Sequence, residues 1–127
     1  MARILIADDS AVIRKTLKRI LIGAGHEVVD EAKNGAEAVE RYQVLQPDLV
    51  TMDISMPIMT GVEAVKQIVH NYQDAKIVMI SAIDEKNQVF EALECGAKHY
   101  IIKPFNENTV LKIIDVVIAH NSGEKVD

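Results

Sequence analysis

Asp53 ends the apolar run Leu49-Val50-Thr51-Met52, and Pro57, shortly after it, bars simple continuation of strand hydrogen bonding. The run reads as a strand that delivers a carboxylate to its tip. Asp8 and Asp9 close another apolar run, Ile4-Leu5-Ile6-Ala7, in the same way. If the two runs are parallel neighbours in one sheet, their carboxyl ends share an edge. The three carboxylates then meet in the crevice where open α/β sheets bind ligands. Such a cluster repels itself and is stabilised by a cation among its oxygens. An all-oxygen donor set suits Mg²⁺, Mn²⁺ or Ca²⁺ rather than zinc. Two further strand ends, Met79-Ile80-Ser81 and Tyr100-Ile101-Ile102-Lys103-Pro104, bring a hydroxyl and an ammonium to the same edge. An acidic metal site beside a hydroxyl and a lysine is an arrangement for phosphoryl transfer. Taken singly, each residue also has a structural reading: Asp53 as a turn former, Asp8 and Asp9 as acids favoured by a helix N-terminus, Ser81 as a cap, Lys103 as a solvated lysine.

The elements that must place these groups follow from pattern and punctuation. A strand over about Arg3 to Ala7 is followed by a helix capped by Ser10, with Ile13, Leu17, Ile20, Leu21 and Ala24 inward and Gly23 and Gly25 at its exit. Its outer face carries Arg14, Lys15, Lys18 and Arg19, read as solvated surface. A short, half-polar edge strand near Glu27 to Glu31 precedes a helix entered at Asn34-Gly35, with Val39, Tyr42 and Leu45 inward and Pro47 as its stop. Thr60-Gly61-Val62-Glu63 has capping-box spacing and opens a third helix burying Val62, Val65, Ile68, Val69 and Tyr72. Lys76 to Ile80 is a fourth strand, and a fourth helix is entered at Asp84 and left at Gly96. His99 to Ile102 is a fifth strand, and Asn106 caps the last helix. Strictly alternating units of this kind predict a parallel sheet with helices on both faces and right-handed crossovers.

Composition narrows the classes. At 127 residues, 49% hydrophobic and 26% charged, the chain has the makeup of one soluble globular domain. No stretch approaches bilayer length, and Met1-Ala2-Arg3 leads straight into a strand, so the expectation is a cytoplasmic protein without signal peptide or membrane insertion. A net charge of −5 argues against nucleic acid as a direct partner. The single cysteine, Cys95, reads as a buried thiol at a helix end, and His26, His70, His99 and His120 lack metal-ligand spacing.

Jointly, Asp8-Asp9, Asp53 with Pro57, Ser81-Ala82 and Lys103-Pro104-Phe105 resemble the receiver domain of two-component response regulators, above all its single-domain chemotaxis members. The resemblance runs from about Arg3 to His120, giving a receiver domain over residues 1–120 and a short polar tail, expected to fray, over 121–127. It implies a flavodoxin-like, doubly wound five-stranded parallel sheet in the order 2-1-3-4-5, with five helices. It further implies that Asp53 is the phosphoacceptor, assisted by Ser81 and Lys103, in a chain that is not itself an enzyme. Mg²⁺, with Mn²⁺ as an alternative, would be held by Asp8, Asp9, Asp53 and the Ser55 carbonyl. Ser81 and Tyr100 are then the switch pair, and Lys103-Pro104 is a candidate cis bond. The implied partners are a histidine kinase and a downstream protein target. The latter would meet a face formed by helix four, strand five and helix five, where Ile113 and Val116 flank the core stripe Val110, Ile114, Val117 and Ile118. Monomer and phosphorylation-dependent dimer are both compatible with this. The resemblance also places Ser55 and Ile83 where receivers tune hydrolysis of the acyl phosphate.

Rival readings are weaker on the same residues. A flavodoxin-like carrier would want a hydroxyl- and glycine-rich phosphate loop where Asp8-Asp9 stands, and an aspartyl-nucleophile phosphatase would want an acid at Ser55. A receiver excised from a longer regulator keeps the chemistry, although the short tail after His120 leans toward a stand-alone chain.

Overall fold

Apolar runs with few polar interruptions pair only where both faces are covered, and this chain supplies the cover by alternating strand and helix. A computed structural model describes residues 1–120, so the tail expected over 121–127 lies outside the described residues. The order is β1 (Arg3–Ala7), α1 (Ala11–Gly23), β2 (Glu27–Ala32), α2 (Gly35–Leu45), β3 (Leu49–Asp53), α3 (Gly61–Asn71), β4 (Ile77–Ser81), α4 (Lys86–Glu94), β5 (His99–Ile102) and α5 (Glu107–Ala119). The strands form one parallel sheet in the order β2-β1-β3-β4-β5. The half-polar β2 takes the edge, as expected from its composition.

Side chains alternate across the sheet, so each strand feeds two cores. Leu5, Val50, Ile77 and Met79 pack with Ala38, Tyr42, Val65, Ile68 and Val89 on the side of α2, α3 and α4. Ile4, Ile6, Leu49, Val78 and Ile80 pack with Leu17, Ile20, Leu21, Val110 and Ile114 on the side of α1 and α5.

Helix entry follows the expected caps: Ser10, Asn34, Thr60 and Asn106 each accept from the backbone amide three residues on. Several local expectations are corrected. Ala24 is the exposed C-cap of α1 rather than an inward residue, and Ile13, Val39, Leu45, Val69, Tyr72 and Ile118 are only partly buried. The Glu63 carboxylate meets the Thr60 hydroxyl at 3.2 Å, so a capping box is only half made. The fourth helix begins at Lys86 with Glu85 as its N-cap, one residue beyond the expected entry at Asp84. The fourth strand runs one residue later than expected and ends on Ser81 itself.

Register determines what the edge presents. Ala7 pairs with Met52, Asp53 with Ile80 and Ser81 with Ile102, so Asp8, Asp53, Ser81 and Lys103 leave the sheet on one edge. α3 starts hard against the tip of β3. A Cβ on Gly61 would lie 1.9 Å from the Asp53 carbonyl oxygen, so only glycine lets the helix approach so closely.

Candidate functional site

Two strand tips and the residues just after two other strands build the site. Asp8 follows β1 and is buried; its Oδ1 accepts from the Ser10 amide at 2.8 Å, tying it to the entry of α1. Asp9, one residue on, is exposed. Asp53 ends β3 and is buried at 4% exposure. Carboxylate oxygens of Asp8, Asp9 and Asp53 all lie within 4.8 Å of one another. Lys103 leaves β5 with its backbone amide on the Ser81 carbonyl at 2.7 Å, which aims its side chain along the edge. Its Nζ donates to Asp53 Oδ1 at 3.1 Å and lies 3.4 Å from Asp8 Oδ2. Ser81, fully buried, ends β4, the strand that pairs with β3. The Lys103-Pro104 bond is cis.

Charge and burial oppose one another here. Burial, then the Asp8 carboxylate, push the Asp53 carboxyl up to about 7 against the pull of Lys103. Burial also raises Asp8, countered by the Ser10 amide and by Lys103. For Lys103 burial acts downward, but Asp53 and Asp8 outweigh it and hold the ammonium above its ordinary value. One ammonium faces three carboxylates, and Asp8 Oδ2 is buried without a hydrogen-bond partner. The Lys103 ammonium lies 3.4 Å from that oxygen but donates to Asp53, so one cation is shared among three acids. The donor set, all oxygen and net negative, fits a hard divalent ion such as Mg²⁺.

The edge thus gathers Asp8, Asp9, Asp53, Ser81 and Lys103, as expected from their strand ends. Ser55 is exposed in the loop after β3. Tyr100 lies further out, 38% exposed, in a groove of about 390 Å³ lined also by Ser81, Ile83, Phe90 and Ile102. Ile83 is 80% exposed there. Apolar exposure on this face comes from Phe90, Tyr100 and Ile102 rather than from α5, since Ile113 and Val116 are partly buried and Ile113 packs on the core.

Two residues escaped the sequence reading. Arg14, expected on a solvated face, is 11% exposed: its guanidinium donates to the Asp8 carbonyl at 2.7 Å and to Glu31 at 3.0 Å. Glu85 accepts from the Ser55 hydroxyl and from the Ala82 amide. Each pairs a near contact, Arg14 with Asp8 and Glu85 with Ala82, with a distant one, to Glu31 and to Ser55, that only the fold brings near. Cys95 is the half-exposed C-cap of α4.

Against known proteins, residues 4–115 match the family model described as response regulator receiver domain. The chain is 48% identical over 115 residues to the chemotaxis protein CheY of Thermotoga maritima, covering 91% of this chain and 96% of that one. It is 50% identical over 113 residues to the chemotaxis protein CheY of Bacillus subtilis, covering 89% and 94%. The crystal structure of the CheX-CheY-BeF₃-Mg²⁺ complex from Borrelia burgdorferi contains a similar chain, with a TM-score of 0.88 and 35% identity over 93% of this chain and 90% of that one.

Proposed function

Because the chain belongs to the response regulator receiver family and is of the CheY type, we propose that it accepts a phosphoryl group on Asp53 from the phosphohistidine of a histidine kinase. The observation that carries this reading is a buried carboxylate at an open sheet edge, held by Lys103 at 3.1 Å beside two further acids. Asp53 attacks phosphorus, its P–O bond forming as the P–N bond breaks and the imidazole departs. Lys103, already aimed at Asp53, meets the charge on the transferred group, and the Ser81 hydroxyl donates to one of its oxygens. Asp8, Asp9, the Asp53 side chain and the Ser55 carbonyl are the groups that would hold Mg²⁺; the clustering of the three carboxylates and a buried Asp8 Oδ2 without a hydrogen bond support this assignment. When bound, the ion supplies positive charge that offsets repulsion between the acids and the incoming phosphoryl group.

The output is a change of partner binding rather than turnover of a substrate, so the chain is an acceptor that assists its own phosphorylation and dephosphorylation. Ser81 moves toward the new phosphate and Tyr100 swings into the groove beside it, reshaping the face of α4, β5 and α5. That is a population shift between two packings, biased by phosphate contacts. Exposed Phe90 and Ile102 suit this face to a protein target. Likeness to chemotaxis proteins supports chemotaxis as the process and the cytoplasm as its place, with residues 1–120 as the acting domain.

Acetyl phosphate with Mg²⁺ should add one phosphoryl group by intact mass, and Asp53→Asn or chelation of the metal should abolish the addition. Undiminished labelling of the variant would overturn the assignment.

A further inference from the structure

A phosphoryl group on Asp53 brings three acceptor oxygens to the edge, each in need of a donor or a cation. Two backbone donors there are engaged with carbonyls of the neighbouring strand. The Ile54 amide donates to the Ile80 carbonyl at 3.2 Å, and the Lys103 amide to the Ser81 carbonyl at 2.7 Å. The Ala82 amide, next along from Ser81, is held differently: it donates to Glu85 Oε1 at 2.7 Å. The other oxygen of the same carboxylate accepts from the Ser55 hydroxyl at 2.5 Å. One side chain thus straps the loop after β3 to the loop after β4, beside Asp53 and Ser81. Although Glu85 occupies the N-cap position of α4, its side chain makes no capping bond, and α4 begins at the next residue. A donor held by a neighbouring strand is released only by breaking the sheet; a donor held by a side chain is released by a rotamer change.

We propose that Glu85 stands in for a phosphoryl oxygen in the unphosphorylated protein: its carboxylate occupies the Ala82 amide and the Ser55 hydroxyl until a phosphoryl group on Asp53 displaces it. This rests on Asp53 being the phosphoacceptor. Two forces drive the exchange. The incoming oxygens compete for the Ala82 donor, and their charge repels a carboxylate that already shares the edge with Asp8 and Asp9. Release of Glu85 frees the entry of α4, so the strap links the edge to the element that carries Phe90. Glu85 is a positioning residue: it sets how readily the edge accepts an anion and does not itself touch the reacting atoms.

The probe is beryllofluoride with Mg²⁺, titrated into the full chain and followed by amide NMR shifts, for wild type, Glu85→Ala, Glu85→Gln and Asp53→Asn. Glu85→Gln keeps both hydrogen bonds, its amide oxygen accepting from Ala82 and its amide nitrogen donating to Ser55, but it carries no charge. Glu85→Ala should bind about tenfold more tightly than wild type, as expected on freeing the Ala82 amide from a charge-assisted hydrogen bond, with Glu85→Gln between the two. Thermal unfolding midpoints of the same samples separate any loss of folding from the change in affinity. Equal affinities in wild type and both Glu85 variants, or weaker binding by Glu85→Ala, would overturn the strap as a competitor. A wild type that behaves like Asp53→Asn would overturn the phosphoacceptor reading, and the competition with it.

Discussion

Arg14 lies on the first turns of α1 and ties the carbonyl of Asp8 to Glu31 on β2 through a single guanidinium. A planar fork of donors suits that double contact, which a lysine cannot reproduce. The consequence reaches the acids themselves, since the Asp8 backbone determines where its carboxylate and that of Asp9 stand. Arg14→Ala should therefore weaken Mg²⁺ binding roughly tenfold, about 1.4 kcal/mol, with Arg14→Lys recovering only part of the loss. Isothermal titration of Mg²⁺ measures this directly. Unchanged affinity with a lowered unfolding midpoint would reduce Arg14 to a stabilising residue.

Between elements, the closest tolerance is where α3 meets the tip of β3. The Gly61 amide donates to the Ile54 carbonyl at 2.8 Å, and a Cβ there would meet the Asp53 carbonyl carbon at 2.9 Å as well as its oxygen. Backbone cannot yield as a flexible side chain does, so Gly61→Ala must push α3 from the sheet or tilt the end of β3. The expected cost is about 3 kcal/mol in urea unfolding, the upper range for overpacking. Because Asp53 belongs to that strand end, phosphoryl uptake from acetyl phosphate should slow as well. A variant with wild-type stability and uptake would mean that the helix entry shifts freely.

Over the whole molecule, the acidic edge trades stability for a poised site. The folded Asp53 carboxyl sits at about 7, above its ordinary 3.8, so its contribution to stability is fully present below about pH 4 and is lost as pH rises through about 7. Asp8, raised likewise, acts with the same sign. In metal-free buffer Asp53→Asn should therefore gain on wild type as pH rises, by on the order of 2 kcal/mol at pH 8. Added Mg²⁺ should narrow that gap, because a cation among the oxygens favours their charged forms. Urea titrations at pH 5 and pH 8, with and without Mg²⁺, carry the test. A gap that does not change with pH would remove Asp53 as the source of the strain.

The sequence alone determined the alternation of strands and helices, four of the helix entries and the acids at two strand tips. Apolar runs, period and cap residues act within a few positions of one another, so a linear reading captures them. The strand order was implied by resemblance, and the register of the pairs then placed Asp8, Asp53, Ser81 and Lys103 on one edge. Tertiary structure alone decided which of two adjacent acids is buried, that Arg14 turns inward, and that Glu85 binds two loops instead of capping its own helix. Those outcomes depend on groups 17 to 50 positions apart, Arg14 with Glu31, Ser55 with Glu85 and Asp53 with Lys103. Contacts at that separation exist only after the strands have paired, and no local preference of Arg14 or Glu85 anticipates them.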